Sequence, residues 1–136
     1  MLRLRAATDP TWTSLVQANL VDFLQDHAHA ERKVVGAALS LAAQHPRRPG
    51  LVGAMIELAG EELEHFRLVH ELLRARGEDI GLDRPDPYLG PMHKWMRRQD
   101  MENYLLDRLL VNGVVEARGC ERFGMLGEGL DDPDLR

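Results

Sequence analysis

The chain has 136 residues, a formal net charge of −5 and a single cysteine, Cys120. Its length suits one domain, and we expect residues 1–136 to form a single one. A single cysteine excludes an internal disulfide and fits a reducing cytoplasm. No apolar run approaches the ~20 residues that span a bilayer. The acidic balance argues against a broad nucleic-acid-binding surface, though not against a local basic patch.

Two long helices are predicted in the first part of the chain. The first opens at "TDPTW", where Asp9 or Thr8 can cap it and Pro10 suits its first turn. It runs, with or without a break near Ala18, to "AAQHP", where the proline stops it. The second begins after "PRRPG" and ends at Gly77, because a glycine just past a basic last turn is a common helix end.

A long loop and a third helix complete the predicted elements. The segment "EDIGLDRPDPYLGP" (78–91) contains three prolines, which predicts a crossing loop of the kind that often carries function. The third helix is expected from Met92 or Gln99 to about Leu126, before "GEGLDDPD". No segment alternates as a strand would, so the predicted fold class is all-α.

Each predicted helix has an apolar stripe with an acid at mid-length. Steps of four and three keep residues on one helix face. Along such steps the first helix reads Leu, Leu, His, Glu, Val, Ala, Leu (20, 24, 27, 31, 34, 38, 41). The second reads Leu, Met, Leu, Glu, His, Val, Leu (51, 55, 58, 62, 65, 69, 72), and the third reads Leu, Leu, Gly, Glu, Cys, Phe (106, 109, 113, 116, 120, 123).

Carboxylates at core positions indicate a bound cation. A carboxylate taken out of water costs several kcal/mol unless it is paired or coordinated, and three facing acids would repel one another. Oxygen ligands with imidazole suit iron or manganese. A Glu on one helix with a Glu-x-x-His on its neighbour is half of the di-iron pattern of ferritin-like four-helix bundles. The predicted metal ligands are Glu31, Glu62, His65 and Glu116.

Neighbouring residues offer alternatives to this set. Glu121 is a rival of Glu116, because it belongs to a second stripe through Leu110, Val114 and Ala117. Glu116 is favoured, and both stay open at this point. His27 lies one turn before Glu31 on the same face, where we expect it to support the ligands rather than to bind metal.

The remaining acids, histidines and the cysteine are given no metal role. Cys120 is expected to pack on the core side. Three acids fall off the stripe and are expected in solvent: Glu57, Glu61 and Glu64. Four histidines have no stripe support: His29, His45, His70 and His93.

Several segments together resemble the tRNA hydroxylase family called MiaE. They are "DHAHAERKVVGAALSL", "MIELAGEELEHFRLVHELLRARG", "DPYLGPMHKWMR" and "DRLLVNGVVEARGCERF", which cover about 20–124 and are followed by "LDDPDLR". Members of that family are non-haem di-iron enzymes that hydroxylate the isopentenyl group of a hypermodified adenosine beside the tRNA anticodon. The resemblance implies a ferritin-like four-helix bundle and a monooxygenase activity.

The same resemblance implies cofactors, partners and a missing part. Two iron ions would be bound, with dioxygen as co-substrate, tRNA as substrate, an electron-donating redox partner, a cytoplasmic location and no membrane contact. A homo-oligomer is one possible state. The family continues past a "DDP" segment into a fourth helix with a second Glu-x-x-His, so we expect this chain to be C-terminally incomplete, with an incomplete ligand set. No catalytic residue beyond the metal ligands is identified.

Two other functions and one RNA-binding segment are also considered. The RNA-contact candidates are Tyr88, Lys94, Arg97 and Arg98, since an aromatic ring beside cations suits a splayed base and a phosphate backbone. One alternative is a ferritin-like oxidase or iron-binding protein that acts on a small molecule. The other is an inactive helical fragment whose core acids pair with arginines such as Arg32, Arg108 or Arg118.

Overall fold

A computed structural model describes residues 4–85 and 87–129 of the chain. In these ranges it has five helices and no strand, which confirms the predicted all-α class. The helices are α1 (Trp12–Ala18), α2 (Leu20–Gln44), α3 (Pro49–Ala75), α4 (Leu89–Trp95) and α5 (Met101–Gly129). None of the helices described is long and apolar enough to cross a bilayer.

The described residues fall into two compact units. One spans Asn19–Arg84 and contains α2 and α3, and the other contains α1, α4 and α5. We call them the α2–α3 unit and the α5 unit, and each is described by itself. The prediction of a single domain stays a prediction.

The α2–α3 unit is a helical hairpin with a small apolar core. Leu24 and Ala28 of α2 pack with Val69 and Leu73 of α3, and partly buried side chains surround this cluster. Pro49 stands in the first turn of α3, where its missing N–H is not needed. The predicted end of α2 in "AAQHP" is confirmed, whereas α3 begins at Pro49, inside "PRRPG" rather than after it.

The C-terminus of α3 ends at the predicted glycine. Gly77 has a φ of +76°, which a residue with a side chain rarely adopts. Its N–H donates to Arg74 O, and the N–H of Glu78 donates to Leu73 O. This pair of hydrogen bonds is the Schellman arrangement, which satisfies the last carbonyls of a helix.

After α3 the chain runs back along α2 as an irregular strap, residues 79–84. Gln25 Nε2 donates to Asp79 O, and His29 Nε2 lies 3.2 Å from Gly81 O. Lys33 Nζ then pairs with Asp83 at 2.6 Å. The strap therefore follows successive turns of one α2 face. It is the first part of the predicted crossing loop, whose last residues, 89–91, instead begin α4.

In the α5 unit, the segment before α1 is bound to α5. The backbone N–H of Thr8 donates to Glu121 Oε1 at 3.0 Å, and the Thr8 hydroxyl donates to Oε2 at 2.9 Å. Arg118 donates to the Thr8 hydroxyl and to Ala6 O. Of the two predicted caps, Asp9 is the one that accepts locally, from the N–H and hydroxyl of Thr11.

The structure decides one boundary that the sequence left open and changes two others. A break does separate α1 from α2, at Asn19. The start of the third helix at Met92 is wrong, because Met92 lies in the separate helix α4, and α5 begins at Met101 after Asp100. Asp100 accepts from the N–H of Glu102 and so caps α5, which places the start nearer the second option, Gln99. Helix α5 continues past Leu126 to Gly129.

Candidate metal centre

Glu31 of α2 and the Glu-x-x-His pair of α3 meet in the α2–α3 unit. Each of Glu31, Glu62 and His65 offers one ligand atom, and these atoms all lie within 4.8 Å of one another. His65 Nδ1 is 3.2 Å from Glu62 Oε2 and 3.8 Å from Glu31 Oε2. The structure therefore brings together three of the four predicted ligands, and their binding of a metal stays a prediction.

The two carboxylates are buried, whereas the histidine is not. Glu31 and Glu62 are 8% and 6% exposed, while the side chain of His65 is 54% exposed. Two buried carboxylates this close repel each other unless protons or cations compensate them. His65 therefore lies on the solvent-exposed side of the two buried carboxylates.

His27 supports Glu31 from the other side. Its Nε2 is 3.1 Å from Glu31 Oε1, and its ring stacks on Phe23 with centroids 5.9 Å apart. Burial lowers the pKa of His27 to about 4, with His65 adding to the fall and Glu62 opposing it. His27 is therefore neutral at pH 7, and the contact assigns its proton to Nε2, which donates to Glu31. The contact lies where the sequence predicts it, and the role of His27 in supporting a metal ligand stays a prediction.

The donor set fits the iron that the sequence resemblance implies. Two carboxylates and one imidazole are ligands that iron and manganese accept, and the neutral His27 fixes one carboxylate without competing as a cation. Two arginines considered as structural partners lie elsewhere, since Arg32 pairs with Asp83 and Arg118 with Glu121. The ion-pair alternative therefore loses these two partners.

The predicted stripe of α5 is wrong as a buried face. Leu106, Glu116, Cys120 and Phe123 are all exposed in the structure. The buried residues of α5 are instead Leu105, Ala117 and Leu126, which do not form a single stripe. Because α5 has apolar residues on several faces, periodicity alone does not identify the one that packs. Cys120 is thus exposed rather than packed, and Glu116 as a ligand stays a prediction.

Glu121, the rival of Glu116, already has partners in the α5 unit. The backbone N–H of Thr8 lowers the pKa of the Glu121 carboxyl, and the Thr8 hydroxyl and Arg118 lower it further. A carboxylate satisfied in this way has less need of a metal. Its contacts favour Glu116 as the candidate on α5.

The off-stripe residues behave as expected except for one histidine. Glu57, Glu61 and Glu64 are exposed, as are His70 and His93. His29 is buried, because the strap covers it and Gly81 O lies within hydrogen-bonding distance. The burial of His29 could not be predicted from the periodicity of α2, since the residues that cover it belong to the strap, which is distant in sequence.

The four RNA-contact candidates lie on or beside α4. Tyr88 is 42% exposed just before the helix, and Lys94 and Arg98 are exposed. Arg97 differs from them, because its guanidinium donates to both oxygens of Asp107, at 2.6 and 3.0 Å. Arg97 is therefore a poor candidate for a phosphate contact.

Comparison with known proteins identifies relatives along nearly the whole chain. The profile of the family described as tRNA-(MS2IO6A)-hydroxylase (MiaE) matches residues 2–136. The chain is 33% identical over 125 residues to the tRNA 2-(methylsulfanyl)-N(6)-isopentenyladenosine(37) hydroxylase of Pseudomonas putida, a match that covers 92% of this chain and 60% of that protein. It is 35% identical over 82 residues to the enzyme of the same name from Salmonella typhimurium, covering 60% of this chain and 30% of that protein.

A solved structure adds a likeness of fold. It is named protein 43 with aldehyde deformylating oxygenase activity from Synechococcus, and it matches with a TM-score of 0.93 and 38% identity. The match covers all of this chain and 67% of that one. This likeness supports the predicted ferritin-like class, and the chain spans 60% of the length of its Pseudomonas relative. The match of the family profile along residues 2–136 places this chain in the MiaE family of tRNA hydroxylases.

Proposed function

We propose that this chain is the metal-binding part of an oxygen-dependent di-iron hydroxylase. Its substrate would be the isopentenyl group of a hypermodified adenosine in tRNA, and it would act in the cytoplasm. The observation that carries the proposal is the convergence of buried Glu31 and Glu62 with His65 in a chain of the MiaE family. The names of the Pseudomonas and Salmonella relatives supply the substrate class.

The side chains of this chain would hold and orient the metal. Glu31, Glu62 and His65 would be ligands, with Glu116 as a further one from α5, and His27 would hold Glu31 in place through Oε1. Bound iron would supply the activation of dioxygen, which protein side chains cannot provide. This chemistry also requires an electron-donating partner.

The unequal burial of the ligands suggests where small molecules enter. Glu31 and Glu62 lie beneath the surface, and the side chain of His65 is half exposed above them. Dioxygen or a substrate methyl group would therefore approach from the His65 side.

The first experiment is the metal content of two double variants after purification with iron. Glu62→Ala with His65→Ala removes two ligands. Glu64→Ala with His70→Ala removes the same residue types from exposed positions of α3 and serves as the matched control. We expect the parent and the control to bind iron, and the ligand variant to lose it.

Two results would contradict the proposal. Equal iron in all three proteins would mean that the metal lies elsewhere or binds nonspecifically. No iron in the parent, measured also on the longer protein that includes the rest of the family's length, would exclude a di-iron centre at these residues. Circular dichroism of each variant checks that the helices are retained.

A second candidate function is the oxidation of a small molecule by the same site. It is favoured by the 38% identity with a structure named for aldehyde deformylating oxygenase activity. The two functions differ in substrate, so the iron-loaded protein should be incubated in parallel with tRNA and with an aldehyde. Hydroxylated nucleoside supports the first function, and consumption of the aldehyde without change to the tRNA supports the second.

A further inference from the structure

Helix α4 ends in a tryptophan that faces solvent. Trp95 is 81% exposed, although an indole ring is among the side chains that gain most from burial. The other tryptophan, Trp12, is half-buried and has the guanidinium of Arg122 5.2 Å from its ring centroid. An exposed aromatic ring of this size suggests a binding surface when its surroundings suit a partner.

The surroundings of Trp95 are cationic. The segment "MHKWMRR" (92–98) has one lysine, two arginines and a histidine and no acid, in a chain whose net charge is −5. Asp107 neutralises Arg97. Lys94 and Arg98 are exposed and have no ion-pair partner in the part of the chain that the structure describes. Two positively charged residues thus flank Trp95 in the sequence.

The cationic segment is anchored to α5. Both the guanidinium and the backbone N–H of Arg97 donate to the carboxylate of Asp107. This bidentate contact fixes the backbone just two residues beyond Trp95. A ring carried on an anchored backbone loses less conformational entropy when it binds a partner than one on a loose segment would.

We propose that Trp95 is a stacking platform for an unpaired nucleobase, with Lys94 and Arg98 in contact with the flanking phosphates. The proposal rests on the tRNA substrate of the proposed function and names the surface that recognises it. An unpaired stretch of RNA offers both a π-face and negative charge, the combination that this surface complements. A purely apolar partner would instead leave the two cations desolvated and unpaired.

The test follows Trp95 directly by its fluorescence. In a Trp12→Phe background Trp95 is the sole tryptophan, and stacking on a base should quench its emission. The probe is an anticodon stem–loop RNA added to the iron-free protein, so that the readout does not depend on activity. Binding is measured in the same samples by anisotropy of labelled RNA.

Substitutions then separate stacking from charge. Trp95→Ala is expected to weaken RNA binding by about tenfold or more, the usual effect of removing one stacking ring. Trp95→Phe keeps a ring and should retain most of the affinity. The control is Arg47→Ala with Arg48→Ala, which removes two exposed cations between α2 and α3. It should leave the affinity for RNA unchanged. Because Trp95 is exposed, these changes should not disturb folding.

Three results would overturn the proposal. They differ in whether the proposed function of the chain is rejected as well. If Trp95→Ala binds RNA as tightly as the parent, the platform is wrong and the proposed function survives. If anionic vesicles quench Trp95 and RNA does not, the surface binds membrane. If no RNA binds while the iron-loaded protein consumes an aldehyde, the proposed function itself fails.

Discussion

At the scale of single residues, the candidate metal centre depends on how its carboxylates are held. Glu31 has an imidazole on each side, with His27 3.1 Å from one oxygen and His65 3.8 Å from the other. Only His65 belongs to the predicted ligand set. His27 fixes the direction of the carboxylate before a cation binds, which reduces the cost of organising the site.

His27→Ala is expected to weaken metal affinity by about 10–100-fold, as is usual when a residue that orients a ligand is lost. The measurement is an anaerobic titration with iron(II), or with cobalt(II) followed by its absorption spectrum. His70→Ala, an exposed position on α3, is the control and should bind as the parent does. Unchanged affinity in His27→Ala would show that Glu31 is held without it.

At the scale of the elements, two helix ends are fixed by specific chemistry. Gly77 ends α3 because its positive φ allows the two closing hydrogen bonds. Asp107 of α5 binds the chain just after α4 through Arg97. The first contact is local and readable from sequence. The second joins residues ten positions apart and depends on how the two helices meet.

Gly77→Ala and Gly53→Ala should change stability in opposite directions. The first places a Cβ at φ +76° and is expected to cost about 1 kcal/mol. The second lies in the exposed interior of α3, where a Cβ would meet nothing within 4 Å, and should stabilise by about 0.5–1 kcal/mol. Urea unfolding of both variants measures the effects, and equal signs would contradict the described end of α3.

The Asp107–Arg97 contact predicts a specific acid sensitivity. The hydrogen bond from Arg97 lowers the pKa of Asp107 to about 2, below the ~3.9 of a free aspartate. The stabilisation is therefore fully present above pH ~4 and is lost as the pH falls through about 2. Thermal unfolding of the parent and of Asp107→Asn should differ above pH ~4 and converge towards pH ~2. A difference that is independent of pH would argue against the contact.

At the scale of the whole molecule, the net charge of the chain opposes the binding of RNA. A chain with a net charge of −5 repels RNA overall, and "MHKWMRR" is one of the segments that carry cations without acids. In the proposal, the electrostatic part of binding is limited to this segment. Within this segment Lys94 and Arg98 remain for phosphate contacts, because Arg97 is paired with Asp107.

The affinity for RNA should accordingly depend only weakly on salt. With about two phosphate contacts, from Lys94 and Arg98, the slope of log K against log salt is expected near −1.4 to −1.8. Anisotropy titrations over a range of potassium chloride measure it, and Lys94→Ala should reduce the slope by roughly one contact. A slope several times steeper would mean that a larger basic surface, outside this segment, binds the RNA.

The sequence by itself determined the helical hairpin of α2 and α3 and the positions of the candidate ligands along these two helices. Pro49 and Gly77 act through local backbone chemistry, so the bounds of α3 were predictable. The helical repeat is also local. It places Glu31, Glu62 and His65 at matching heights, and the structure brings their ligand atoms together.

Tertiary structure alone decided which faces are covered. Glu121 meets Thr8 across 113 positions, and His29 is buried by a strap 52 positions away. The choice of buried residues in α5 and the exposure of Trp95 likewise depend on which elements pack against each other. Periodicity records that a helix has an apolar face, but the neighbour that covers it is fixed by contacts distant in sequence, which no local pattern encodes.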